Sequence, residues 1–180
     1  MSTSTRSAGE GPGTQRLLGI YLNDHLAGAT AGAELVRRMV QEHGDSVFGD
    51  DLRDLAAQIS QDRRTLLRLM ADLRFPVRRY KVYGAWLGEK LARAKPNGRL
   101  VRRSGLSVLA ELEAMRSGVA GKALLWRSLL AASARDTRLD PARVEELLGR
   151  AERQIEVLDA LHTRAGTALF GAERVSSGAA

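Results

Sequence analysis

Residues 51–73 read DLRDLAAQISQDRRTLLRLMADL, and this stretch decides the fold class. Its apolar residues recur at alternating intervals of three and four, the spacing of a helix packed along its length against near-parallel neighbours. The seam consists of Leu52, Leu55, Ile59, Asp62, Leu66, Leu69 and Leu73. Phe75-Pro76 follows, and the proline ring disfavours helix at the residue before it. The stretch therefore predicts a long amphipathic helix over residues 50–73.

Three further segments carry the same periodicity, over residues 15–43, from 104 or 107 to 134, and 141–170. Their seams are Leu18, Leu22, His25, Ala29, Gly32, Val36, Met39; Val108, Leu112, Met115, Val119, Lys122, Trp126, Leu129; and Val144, Leu147, Ala151, Gln154, Leu158, Leu161, Ala165. Asp140-Pro141 marks the start of the last helix, because it combines an N-cap with proline at the first helical position.

The connections between these segments predict how the helices pair. Links of about five residues join the first segment to the second and the third to the fourth, and such short links make antiparallel hairpins. The longer connection, 74–103, contains a predicted short amphipathic helix at 81–94. No strand-like alternation of useful length is present. The sequence predicts an all-α fold, a four-helix bundle of two antiparallel hairpins with a long basic second-to-third connection.

Length and composition predict one domain without covalent cross-links. The 180 residues include no cysteine, which excludes disulfide scaffolds, thiolate metal sites and cysteine nucleophiles. We expect a disordered segment at 1–14, a single helical domain at 15–170 and a flexible tail at 171–180. Neither a secretory signal nor a run of about 18 apolar residues is present, so we expect a cytoplasmic protein.

Each seam contains one polar residue: His25, Asp62, Lys122 and Gln154. Counted from the hairpin turns, Lys122 and Gln154 lie at similar depths, whereas His25 and Asp62 differ by about one helical turn. This placement predicts a polar layer in the core. One interpretation is a metal or proton-transfer site. The other is a hydrogen-bonded cluster that fixes helix register, the best-attested role of buried polar groups in bundles. Lys122 favours the second interpretation, because a metal site needs carboxylates.

The stretch at 27–33 is composed almost entirely of glycine and alanine. Glycine inside a helix costs about 1 kcal/mol relative to alanine, so Gly28 and Gly32 require a structural reason. We predict that a neighbouring helix approaches closely here and places a bulky side chain against the glycines, with Trp126 as one candidate.

Positive charge is concentrated in the connection. Residues 74–103 contain ten basic side chains and one acid, a net charge of +9, whereas the whole chain carries only +7. We expect this segment to bind an anionic partner through Arg78, Arg79, Lys81, Trp86, Lys90, Arg93, Lys95, Arg99, Arg102 and Arg103. The partner is expected to be a protein, another copy of the chain or an anionic membrane surface, and sequence-specific nucleic acid is not expected. The alternative is a solvated cap over one end of the bundle.

Several stretches resemble known helical proteins: YLNDHLAGATAG at 21–32, EKLARAKPNGRLVRRS at 89–104 and ELEAMRSGVAGKALLWRSL at 111–129. They are similar to a family of bacterial bundle proteins that carries no assigned activity, within the ferritin-like four-helix bundle superfamily. Di-iron members of that superfamily use a Glu from each of two helices and Glu-x-x-His from each of the other two.

The match to this ligand set is incomplete. Asp159-x-x-His162 is the nearest equivalent, and Asp62-x-x-Thr65 lacks the histidine. The resemblance implies iron or manganese at His25, Asp62, Asp159 and His162.

These observations predict a non-catalytic interaction protein that engages an anionic partner through residues 74–103 and carries no cofactor. The alternatives are a ferritin-like metal-binding protein or oxidoreductase with a degenerate site, and a structural homodimer. No catalytic residue is assigned, because phosphate-loop, H-E-x-x-H and G-x-S-x-G motifs are all missing from the sequence.

Overall fold

The computed structural model describes residues 12–78 and 105–171. It contains helices α1 (Pro12–His43), α2 (Gly49–Asp72), α3 (Gly105–Ser133) and α4 (Pro141–Gly171), and these residues include no strand. The predicted all-α class is confirmed. Residues 12–14 and 171, which were assigned to the terminal segments, are helical. The predicted helix at 81–94 and the remaining terminal residues lie outside the described ranges.

The four helices pack around a shared apolar core. Helix α1 packs against α2 and α3, and α4 packs against α3 and α2. All seven predicted seam residues of α2 and all seven of α4 are buried. Full burial of a leucine side chain contributes about 1.5–3 kcal/mol, so these seams provide a large share of the packing energy. The α1 seam differs, because His25, Ala29 and Gly32 in its middle are only partly buried.

Local interactions explain where the helices begin. The Asp140 carboxylate accepts a hydrogen bond from the backbone N–H of Ala142 at 3.0 Å, as expected for the N-cap of α4. Between α1 and α2 the chain turns so tightly that a Cβ on Gly49 would lie 1.9 Å from the carbonyl oxygen of Gly44. Only glycine fits at the start of α2.

The end of α2 is held against the first half of α1. Arg74 adopts a left-handed conformation with φ of 59°, which ends the helix and redirects the chain. Asn23 of α1, only 4% exposed, then binds the redirected backbone. Its Oδ1 accepts the backbone N–H of Arg78 at 2.7 Å and its Nδ2 donates to the Pro76 carbonyl at 3.2 Å. The basic connection therefore starts from a fixed point on α1.

Within the described ranges, no helix is both long enough and apolar enough to cross a membrane.

Candidate functional site

A cleft of about 570 Å³ lies between three of the helices. Its lining comes from residues 21–35 of α1, 59–66 of α2 and 114–126 of α3, and most of the lining side chains are apolar or small. Clefts of about 300–1,000 Å³ with this character are typical of small-molecule sites. The cleft coincides with the part of α1 whose seam is incompletely buried.

Glycines on both walls create the space. A Cβ built on Gly28 or Gly32 of α1, or on Gly118 or Gly121 of α3, would meet no atom within 4 Å. At Gly28 and Gly32 the prediction of a closely packed neighbour is therefore wrong, although Ala29 and Ala33 of the same stretch do pack against the core. Trp126 lines the same cleft, but none of its atoms lies within 4 Å of a Cβ position built on Gly28 or Gly32. The cleft between α1 and α3 is open because the glycines on its two walls have no side chains to fill it.

A hydrogen-bonded ion pair lies at the inner side of the cleft. Lys122 Nζ donates to Asp62 Oδ2 at 2.6 Å and to Gln154 Oε1 at 2.5 Å. Gln154 Nε2 in turn donates to Asp62 Oδ2 at 3.0 Å. Three of the four predicted polar-layer residues are thus in direct contact, and both charged members line the cleft.

Two residues outside the predicted seams complete this network. Arg150 donates to Asp62 Oδ1 at 3.2 Å and to Glu146 at 3.3 Å, and Gln58 accepts from Gln154 at 3.1 Å. Arg150 and Gln58 each lie four residues before a seam polar residue on their helix. A spacing of four residues places each of them on the same helix face as its polar seam residue. This spacing was the signal in the sequence that could have identified Arg150 and Gln58.

The network keeps a charged pair stable in the core. Burial lowers the pKa of Lys122, the Asp62 carboxylate opposes this shift, and the nearby Arg150 adds to it. Asp62 is 5% exposed and both of its oxygens accept hydrogen bonds from cations. Removing one partner from such a buried pair costs about 3–5 kcal/mol. Both oxygens of the Asp62 carboxylate are therefore occupied by ion pairs, one with Lys122 and one with Arg150.

His25 lies on the α1 wall of the cleft and does not hydrogen bond to the network. Its ring packs edge-on against Tyr21, with ring centroids 4.5 Å apart. Burial lowers the pKa of His25, and the neighbouring Asp24 carboxylate partly opposes that shift. The imidazole is therefore held towards its neutral form.

Trp126 lines the cleft, and its indole N–H is an unpaired buried donor. Its side chain is 1% exposed, and its indole Nε1 is buried with no hydrogen-bond partner among the described residues. A buried donor without an acceptor costs about 1–3 kcal/mol. Sequence reasoning assigned this tryptophan to packing and gave no indication of an unsatisfied N–H.

The residues that the resemblance implied as metal ligands lie in separate places. Asp159 forms an exposed ion pair with Arg116 at 2.6 Å, which lowers the pKa of Asp159. His162, on the same side of α4 as Asp159, has its Nε2 3.1 Å from Glu113 Oε1 of α3. His25 and Asp62 line the cleft instead. Each of the two aspartates faces a basic side chain, an arrangement that competes with a cation.

A different group has metal-ligand character. Ligand atoms of Glu42, His43 and Glu111 lie within 4.8 Å of one another, where α1 ends beside the first half of α3. His43 Nε2 is 3.7 Å from Glu111 Oε2, and Arg38 is 3.5 Å from the other Glu111 oxygen. Burial raises the pKa of Glu111, and Arg38 opposes this shift. The arginine already provides a positive charge where a metal ion would bind.

Of the residues predicted to bind an anionic partner, only Arg78 lies in the described ranges, and it is exposed. The other nine fall between residues 79 and 103.

Comparisons with protein families, with curated proteins and with solved structures find no match for this chain. Its function is therefore inferred from the geometry of the site.

Proposed function

We propose that this protein binds a predominantly apolar small molecule in the cleft between α1, α2 and α3. The observation that carries the proposal is a cleft of about 570 Å³ whose glycines have no packing partner within 4 Å of a Cβ position. Four interior glycines destabilise their helices by about 0.5–1 kcal/mol each relative to alanine. Space for a ligand accounts for this cost, whereas close helix packing does not.

The Asp62–Lys122–Gln154 network supports the proposal because it braces the helices around the cleft. It joins α2, α3 and α4 through hydrogen bonds of 2.5–3.0 Å. Apolar side chains then line most of the space, with Leu35, Ile59 and Leu66 among them. A site that is largely formed before the ligand arrives loses little conformational entropy on binding.

The test fills the cleft without disturbing the fold. Nile red, a neutral apolar dye, is titrated into the wild-type chain and into Gly32→Leu, whose side chain would enter the cleft. Gly166→Leu is the matched control, because a Cβ on Gly166 also meets nothing within 4 Å but this residue does not line the cleft.

We expect saturable binding by the wild type and by Gly166→Leu, and at least about tenfold weaker binding by Gly32→Leu, equivalent to a loss of about 1.4 kcal/mol. Equal affinity of all three chains for the dye would refute binding in the cleft. Circular dichroism verifies that each variant is folded.

We infer that the helices form the two predicted antiparallel hairpins. Contacts between helices support this inference, because Arg116 pairs with Asp159 whereas Arg127, further along α3, pairs with the earlier Glu152 of α4. Residue numbers thus rise along α3 as they fall along α4. The short turns at 44–48 and 134–140 are consistent with this topology.

A second candidate function is the predicted binding of an anionic partner through residues 74–103. Its support is the net charge of +9 in this segment and the anchoring of the segment to α1. The side chain of Asn23 binds the backbone at Pro76 and Arg78 and leaves the side chains of Arg74 and Arg78 exposed. The partner class remains the predicted one: an acidic protein surface, a second copy or an anionic membrane.

Ferritin-like ancestry and a structural homodimer also remain predictions. Elemental analysis of protein purified without chelator tests the first, and iron or manganese well below one equivalent per chain would reject a loaded site. Light scattering over a range of concentrations tests the second, and a monomer throughout would reject a stable dimer.

A further inference from the structure

We propose that a basic surface on the second half of α2 and on the residues after it binds the anionic headgroups of a lipid bilayer. The basic surface consists of the exposed side chains of Arg64, Arg68, Arg74, Val77 and Arg78. This inference rests on the second candidate function, because it names the anionic partner and extends the binding surface onto α2. It does not depend on a ligand in the cleft.

Positive charge is unbalanced in this part of the chain. Residues 63–78 contain five arginines and a single acid, Asp72. Asp72 already pairs with Arg143 of α4 at 3.5 Å. Within the part of the chain that the structure describes, none of the five arginines forms an ion pair with a carboxylate. Their charge is therefore available to an anion from outside the chain.

Most other arginines of the bundle differ in having a carboxylate partner. Exposed ion pairs of 2.6–2.8 Å join Arg37 to Glu34, Arg116 to Asp159 and Arg127 to Glu152. Such pairs cancel positive charge locally, because the two charges are within contact distance. The arginines of 63–78 thus concentrate uncompensated charge on one part of the molecule.

Helix geometry places two of these arginines side by side. Arg64 and Arg68 are four residues apart and both are exposed, so they are neighbours on the solvent face of α2. Arg68 Nε donates to the Arg64 carbonyl oxygen at 3.4 Å. The buried residues Leu66 and Leu69 occupy the opposite face of the helix. Both guanidinium groups are therefore presented to solvent.

The residues after α2 present an apolar side chain between two further arginines. The Phe75 ring lies 3.0 Å from a Cβ position built on Gly19, and Asn23 binds the backbone on both sides of Val77. The Val77 side chain is 49% exposed. Because its backbone is held against α1, this side chain loses little conformational freedom when it binds a partner.

A bilayer surface matches both features of the basic surface. Anionic headgroups attract basic side chains, and a fluid layer of them can pair with cations at any spacing. An apolar side chain among the cations gains contact with the boundary between headgroups and acyl chains. A nucleic acid backbone would pair with the arginines but would gain nothing from Val77. An acidic protein would need carboxylates that match the positions of the arginines on two different elements.

Cosedimentation of the full chain with vesicles that contain phosphatidylglycerol tests this proposal. Arg64→Gln combined with Arg68→Gln should weaken binding by about tenfold, because each basic side chain near an anionic surface strengthens binding several-fold. Val77→Ser should weaken binding by about threefold without changing its dependence on salt, since salt screens charges and not apolar contacts.

Arg116→Gln combined with Arg127→Gln is the matched control. It removes the same amount of charge from exposed side chains of α3 that already have carboxylate partners. This double variant should bind the vesicles like the wild type. Circular dichroism verifies that every variant is folded.

Three results would overturn the proposal. Equal losses in the two double variants would show that net charge alone controls binding. A loss on replacing Arg99, Arg102 and Arg103, with none in the α2 variant, would confine binding to the connection and leave the second candidate function intact. Failure of the wild type to bind the vesicles would exclude a bilayer, and binding to polyglutamate or to duplex DNA instead would identify an acidic protein or a nucleic acid as the partner.

Discussion

Asp62 is the residue on which the polar core depends. Its carboxylate accepts hydrogen bonds from Lys122, Arg150 and Gln154 while it is 5% exposed. Asp62→Ala would leave two cations partly buried without their counterion, so we expect the free energy of unfolding to fall by about 3–5 kcal/mol. Urea denaturation followed by circular dichroism measures this loss.

Asp159→Ala is the matched control for that substitution. Asp159 also pairs with a basic side chain, but both side chains of the pair are about half exposed, and water replaces the lost interaction. We expect a much smaller loss of stability than for Asp62→Ala. Similar losses in the two variants would show that the buried network contributes no more than a surface ion pair.

His25 is expected to make the stability of the fold depend on pH, and the sign of its pKa shift gives the direction. Burial lowers the pKa of His25 in the folded chain below its usual 6.5. In the range between that value and the lowered pKa, the unfolded chain binds more protons than the folded chain. Stability is therefore fully present above about pH 6.5 and decreases as the pH falls through that range.

NMR titration of the His25 ring, assigned with the variant His25→Gln, measures this shift. A pKa at or above the ordinary value in the folded chain would contradict the buried environment on the α1 wall. The pH dependence of unfolding should also weaken in His25→Gln.

At the scale of the helices, two glycines of opposite environment predict opposite effects of alanine. A methyl group at Gly32 meets nothing within 4 Å, so Gly32→Ala should stabilise α1 by about 0.5–1 kcal/mol. A methyl group at Gly49 would overlap the Gly44 carbonyl oxygen, so Gly49→Ala should destabilise the turn by about 1–3 kcal/mol.

Thermal unfolding of the two variants measures both effects. A lower melting temperature for Gly32→Ala would indicate that the α1 wall packs against a neighbour. In that case the cleft of the ligand-free protein would be narrower than the free space around the Gly32 Cβ position indicates.

At the scale of the whole molecule, charge is segregated between the helical domain and its connection. Residues 74–103 carry a net +9, while the rest of the chain is slightly acidic. We expect the chain to cosediment with vesicles containing phosphatidylglycerol and not with phosphatidylcholine vesicles. Replacing Arg99, Arg102 and Arg103 with alanine should weaken binding, and added salt should weaken it further because exposed charges are screened.

Arg127→Ala provides the control for that experiment, because it removes an exposed positive charge from α3. Vesicle binding that is unaffected by the triple substitution and by salt would exclude an electrostatic membrane interaction. Binding of the connection to an acidic protein surface or a second copy would leave the two kinds of vesicle indistinguishable.

Much of the fold was predictable from the sequence. The seams of α2 and α4 were predicted residue by residue, because a helix that buries one face must repeat apolar side chains at intervals of three and four. The N-cap at Asp140 followed from local chemistry in the same way. Buried helix faces and N-caps depend on residues close together in the chain, so they can be recognised from the local sequence pattern.

The cleft could not be predicted, because glycine and alanine in a seam are compatible with close packing and with open space. At Gly32 the distance between α1 and α3 decides between the two, and that distance is set by side chains on three helices together. The partners of Asp62 depended on the same packing, which brought Arg150 to one carboxylate oxygen and Lys122 to the other. The sequence by itself determined the helices and their buried faces through local periodicity. Tertiary structure alone decided where those faces leave a cleft open, because its width depends on residues far apart in the chain.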